Sequence, residues 1–152
     1  MKLKEAVRRG KLQVGSWISW TRRFTGDDIA EFARLSGDQN PIHVSDDDEC
    51  RKAFGGGPPV VHGMLSASVF SRMLGNYIPG AIYLKQQFQF HAPVRVDEDV
   101  TARIEFTRFR IPNYSYWTTT MTKNDGTVVI TGGADVRLPD GVEVDDTNRA
   151  KF

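Results

Sequence analysis

The segment Ser36-Gly37-Asp38-Gln39-Asn40-Pro41-Ile42-His43 sets a carboxylate and an imidazole five residues apart around a proline-stiffened turn. With ordinary pKa values near about 3.9 and 6.5, such a pair can give and take protons at one substrate, the task of general acid–base catalysis. The same residues also suit plain structure. Gly-Asp-x-Asn-Pro ends a helix and turns the chain, Asn satisfies nearby amides, and a lone His often packs at a loop edge. Spacing alone leaves the two uses even.

The other reactive side chains are weaker candidates. His62 stands beside Gly63 and is expected to shape that turn by packing or hydrogen bonding, whereas His91 is expected at a surface or a strand edge. Three histidines without a second carboxylate cluster do not make a metal site, and Gly55-Gly56-Gly57 lacks the pattern of a phosphate cradle. Neither metal nor cofactor is therefore expected. Cys50 is the single cysteine, which excludes an internal disulfide and a cysteine zinc set. It follows Asp46-Asp47-Asp48-Glu49, whose charge disfavours a thiolate, so a nucleophilic role is not expected.

Those residues need elements to position them. Val14 to Phe24 reads as a first strand, and Thr25 as the cap of a helix whose apolar stripe is Ile29, Phe32, Ala33 and Leu35 and whose end is Gly37. Ser45 with Asp48 resembles a second cap, opening a short acidic helix to about Phe54, and the run Gly55 to Pro59 must be loop. From Gly63 to about Tyr77 the chain is apolar on most sides, with Arg72 and Asn76 as the wet edge, so this helix should be central and buried. Ile82, Leu84, Gln86, Phe88 and Phe90 alternate with polar or amphipathic neighbours as one face of a strand. Strands are expected again at about 99–110, 114–123 and 127–138, the last two joined through Asn124-Asp125-Gly126, a strong hairpin signal. One strand, then helices, then a meander implies an α+β fold with an antiparallel sheet around the apolar helix.

Composition narrows the partners. At 152 residues the chain fits one domain: a basic leader over 1–13, a folded region over 14–138 and a polar tail over 139–152. Hydrophobic residues make up 39%, enough for a packed core. Lys plus Arg is 20 against 19 Asp plus Glu, which leaves no footprint for nucleic acid. No apolar stretch reaches the roughly 20 residues that span a bilayer, so no membrane partner is expected either. The lone cysteine suits a reducing compartment, an intracellular one such as cytoplasm or mitochondrial matrix.

What separates the two uses of the Asp38–His43 segment is the order of the motifs around it. Leu35-Ser36-Gly37-Asp38-Gln39-Asn40-Pro41-Ile42-His43, then Val61-His62-Gly63-Met64-Leu65, Pro79-Gly80, Ile82-Tyr83-Leu84, Phe90 and Pro93-Val94 together resemble the MaoC-like (R)-specific enoyl-CoA hydratases over roughly 14–138. The resemblance implies a hot-dog fold, a curved antiparallel sheet wrapped around a central helix, and a homodimer paired through sheet edges. It also implies a lyase acting on thioesters of CoA or acyl carrier protein, with Asp38 and His43 as the catalytic pair. Asn40 would then orient their loop, Gly63 would offer its amide to the thioester carbonyl, and Ser71 would hydrogen-bond near the pair.

The chemistry suits those residue types. Hydrating a 2-enoyl thioester takes a proton from water, puts one on the α carbon and builds negative charge on the thioester oxygen. Asp38 and His43 serve the first two needs in either assignment of roles. An ordinary Asp is a weak base at pH 7, so Phe32 and Leu35 are expected to cover Asp38 and raise its pKa. The third need suits a helix N-terminus, where one donor to an oxyanion is worth about 3 to 4 kcal/mol. Two other readings share the fold: a non-catalytic acyl-thioester-binding module and a thioesterase.

Overall fold

A short strand β1 (Lys11–Gln13) precedes the five that form the main sheet: β2 (Trp17–Arg23), β3 (Ile82–Phe90), β4 (Asp99–Arg110), β5 (Tyr114–Lys123) and β6 (Val128–Arg137). The computed structural model describes residues 11–45, 47–52, 55–110 and 113–145. All neighbours in the main sheet pair antiparallel, in the order β2-β4-β5-β6-β3. β5 lies at its centre, and the period-two pattern turns Val100, Ala102, Ile104 and Phe106 of β4 and Trp117 and Met121 of β5 into the core. Asn124-Asp125-Gly126 makes the expected hairpin, with Gly126 at φ 87°, a conformation that favours glycine.

Helix α1 (Gly26–Ser36) starts in a capping box, as Thr25 implied. The Asp28 amide donates to Thr25 Oγ1 at 3.3 Å and the Thr25 amide to Asp28 Oδ2 at 2.9 Å. Its end is Gly37 in the left-handed region. Two short helices follow, α2 (Pro41–Val44) and α3 (Asp48–Arg51). The long helix α4 (Gly63–Tyr77) buries Val69, Phe70, Met73 and Leu74 against the sheet, where Phe70 stacks on Phe88 with ring centroids 5.5 Å apart. This is the α+β arrangement expected.

Several local expectations change. Ile82, Leu84, Gln86, Phe88 and Phe90 do not share one face, because a bulge between Tyr83 and Lys85 shifts the register against β6. Tyr83, Gln86 and Phe88 turn inward while Ile82, Leu84 and Phe90 stay about half exposed. Helix α4 is not buried all round, since Met64, Ser68, Ser71, Arg72 and Gly75 form one exposed stripe. Leu35 points out at 79% exposure. The second acidic helix is capped by Asp47, not Ser45, which instead accepts the Asp47 amide, and Phe54 lies outside the described residues. Ordered structure also extends past 14–138. β1 pairs in parallel with β7 (Glu143–Asp145) and Leu12 is buried at 1% exposure, so part of the leader and part of the tail clasp each other. The remainder of both, 1–10 and 146–152, lies outside the described residues.

Candidate active site

The turn after α1 is built by its own side chains. Ser36 Oγ accepts the Asp38 amide at 3.2 Å, Asp38 Oδ1 accepts the Asn40 amide at 3.1 Å, and Asn40 Oδ1 accepts the Ile42 amide at 3.3 Å, capping α2. Pro41 is the first residue of that helix, where its missing N–H costs nothing. The structure thus puts His43 on a helical turn instead of in the loop. Asn40 is the cap of this turn, through its Oδ1.

His43 is held from the opposite side. The Val60 amide donates to Ile42 O at 3.1 Å, and the Val60 carbonyl lies 2.6 Å from His43 Nδ1. A carbonyl only accepts, so Nδ1 carries the proton and Nε2 keeps its lone pair. Burial pushes the His43 pKa below its ordinary value, against the pull of the Val60 carbonyl; the neighbouring His62 lowers it further and Asp38 raises it. His43 is therefore a neutral imidazole with one nitrogen free to accept.

His62, 1% exposed, stacks on His43 with centroids 3.9 Å apart and planes 26° apart, and Phe32 tilts against it at 5.0 Å. One ligand-type atom from each of Asp38, His43 and His62 lies within 4.8 Å of the others. A metal would need lone pairs converging at about 2.0–2.1 Å. One nitrogen of each ring already faces a carbonyl, His43 Nδ1 that of Val60 and His62 Nε2 that of Asp38, so the cluster suits proton chemistry better than chelation. The spacing from carboxylate to imidazole also fits one water held by both, since two hydrogen bonds of about 2.8 Å span it.

Gly63 opens α4, and the residue before it, His62, makes no side-chain cap. First-turn amides of such a helix have no helical partner and present the positive end of the dipole. A Cβ on Gly63 would sit 3.0 Å from Phe90 Cε1, so any larger residue here would press on that ring. His43, Gly63, Ser66, Phe90 and His91 border one cavity of ≈ 270 Å³. His91 is an exposed residue at its rim, as expected, with Nε2 2.7 Å from Thr131 Oγ1.

Two expectations fail at this site. Asp38 is exposed and Leu35 points away from it, while Phe32 packs on His62 instead, so the apolar cover predicted for the carboxylate is absent within one chain. Ser71 makes no hydrogen bond to the pair among the described residues: eight residues along α4 from Gly63, it lines a cavity of ≈ 290 Å³ with Phe32, Met64, Tyr83 and Phe88. There burial raises the Tyr83 pKa to about 12. Sequence reasoning missed the Val60 carbonyl, which no residue letter announces. It also missed Ser66, whose Oγ donates to Gly63 O at 2.9 Å and whose place one helical turn after His62 could have revealed it.

Comparison with known proteins bears on the family and the fold. The model of the MaoC like domain matches residues 15–128. The chain is 40% identical to an (R)-specific enoyl-CoA hydratase of Aeromonas caviae, over 84% of this chain and 96% of that protein. It is 36% identical to a mitochondrial 3-hydroxyacyl-acyl-carrier-protein dehydratase of Solanum lycopersicum, over 84% and 78%. The solved structure of the A. caviae (R)-hydratase involved in PHA biosynthesis superposes with a TM-score of 0.78, covering 84% of this chain and 98% of that one. Motif, fold and likeness of sequence thus converge, and the chain belongs to the MaoC-like family.

Proposed function

We propose that this protein is a hydro-lyase that interconverts trans-2-enoyl and (R)-3-hydroxyacyl thioesters of CoA or acyl carrier protein. The observation that carries the reading is the Asp38–His43 pair, within 4.8 Å of each other and of His62, the residue before Gly63 at the start of α4. The His43 imidazole, neutral and with Nε2 free, can take a proton from water. The Asp38 carboxylate holds the same water, the pair passes the proton taken from it to the α carbon while the hydroxyl adds at the β carbon, and the Gly63 amide meets charge developing on the thioester oxygen. The family and the names of its relatives support the same reaction. Among the described residues no helix is long and apolar enough to cross a membrane. A reducing intracellular compartment, cytoplasm or mitochondrial matrix, suits the single cysteine.

Crotonyl-CoA tests the proposal through loss of its enoyl absorbance. The protein should hydrate it, and Asp38→Ala and His43→Ala should each cut the rate by at least about 100-fold. Unchanged rates in both variants would sink the assignment. Binding without turnover would instead favour a binding module, and release of CoA thiol from a saturated acyl-CoA a thioesterase.

A further inference from the structure

We infer that His62 is a positioning residue that ties Asp38, His43 and the Gly63 turn into one unit, a role that rests on the hydratase reading. The residue makes contact in three directions. Its Nε2 donates to the Asp38 carbonyl at 3.1 Å, across 24 residues of sequence. Its face stacks on His43 at 3.9 Å, with Phe32 behind it at 5.0 Å. Its own carbonyl accepts the Ser66 amide at 3.1 Å and Ser66 Oγ at 3.3 Å, in the first turn of α4. A shift of this ring therefore displaces the carboxylate loop and the imidazole together, from a residue whose backbone starts α4.

An imidazole that merely fills core space is poorly chosen for the position. The Asp38 carbonyl only accepts, so the ring proton is on Nε2 and Nδ1 is bare. Nδ1 is buried with no hydrogen-bond partner among the described residues. Leaving a buried acceptor unpaired is destabilising, and such groups call for an explanation. The donor at Nε2 and the flat face toward His43 supply one: phenylalanine would keep the face and lose the donor, and glutamine would keep the donor and lose the face. After burial, His62 is a further cause that lowers the His43 pKa. The other titratable groups near His43 are Asp38, from the turn after α1, and His91 at the cavity rim, so the comparison must hold both constant.

The test uses His62→Phe and His62→Gln in the full chain, with crotonyl-CoA kinetics across pH and NMR titration of the His43 ring. Both variants should stay folded, with kcat lowered on the order of 10- to 100-fold, KM nearly unchanged and the acid limb of kcat/KM moved to higher pH. His62→Gln should recover part of the loss through its amide donor. Folded variants with parental kcat and an unmoved His43 titration would overturn the inference and leave the hydratase reading standing. If His62→Phe does not fold, His62→Gln decides on the same criteria. If the parent protein does not hydrate crotonyl-CoA yet the His43 titration still moves, it is the hydratase reading that fails, and if neither is seen both fall.

Discussion

Asp38 and His43 are fastened differently, and that difference makes their roles separable. Asp38 is exposed and uses one carboxylate oxygen to accept the Asn40 amide. Asp38→Asn keeps an oxygen for that bond, so it should preserve the turn. We expect kcat/KM to fall by at least about 100-fold with a thermal midpoint within about 2 °C of the parent, measured by calorimetry beside crotonyl-CoA kinetics. His43 is buried against a carbonyl, and its lowered pKa keeps it a base below the ordinary range. The acid limb of kcat/KM should therefore lie below about 6.5, the unperturbed value. Stability follows the same sign. The unfolded chain binds this proton more readily than the folded one, so the His43 contribution is complete above the unfolded pKa and is lost as pH falls through it toward the folded value. Urea melts at several pH values should show that loss, and His43→Gln should remove this part of the pH dependence.

At the scale of elements, the pair depends on caps and on close strand packing. Gly132 lies in β6 opposite Phe88 of the edge strand β3, and a Cβ there would sit 2.0 Å from the Gln87 backbone oxygen. Backbone cannot swing aside as a side chain can. Gly132→Ala should therefore destabilise by about 3 kcal/mol or more, read from urea unfolding, and should loosen β3 first. Strands and helix ends were largely legible in the sequence because their signals are local. The Thr25 box, the Gly37 stop and the Asn-Asp-Gly hairpin each act within a few residues. The face presented by β3 was not legible, since the bulge after Tyr83 is set by pairing with β6, and the exposed stripe of α4 was legible only at Arg72, because the exposure of Met64 and Gly75 depends on what packs over the helix.

For the whole molecule the two sheet edges differ. On β2, Arg22 and Arg23 pair with Asp28 and Asp99, and charge of this kind discourages strand addition. On β3, Ile82, Leu84 and Phe90 remain about half exposed beside unpaired backbone. We propose that β3 pairs with a second copy of the chain, the homodimer that the resemblance implies. Light scattering should give a dimer, and Leu84→Lys should shift it to monomer while circular dichroism stays unchanged. A monomeric parent would rule the pairing out. By itself the sequence determined the α+β element order, the Asp38-to-His43 motif and the glycine at the start of α4, because caps, periodicity and turn residues act over short range. Only the tertiary structure decided that His62 stacks on His43, that the Val60 carbonyl sets the His43 tautomer, that Leu35 turns away from Asp38, and that strands β1 and β7 join the ends of the domain. Those contacts join residues far apart in the chain, some through backbone atoms common to every residue, so they exist only once the elements have docked.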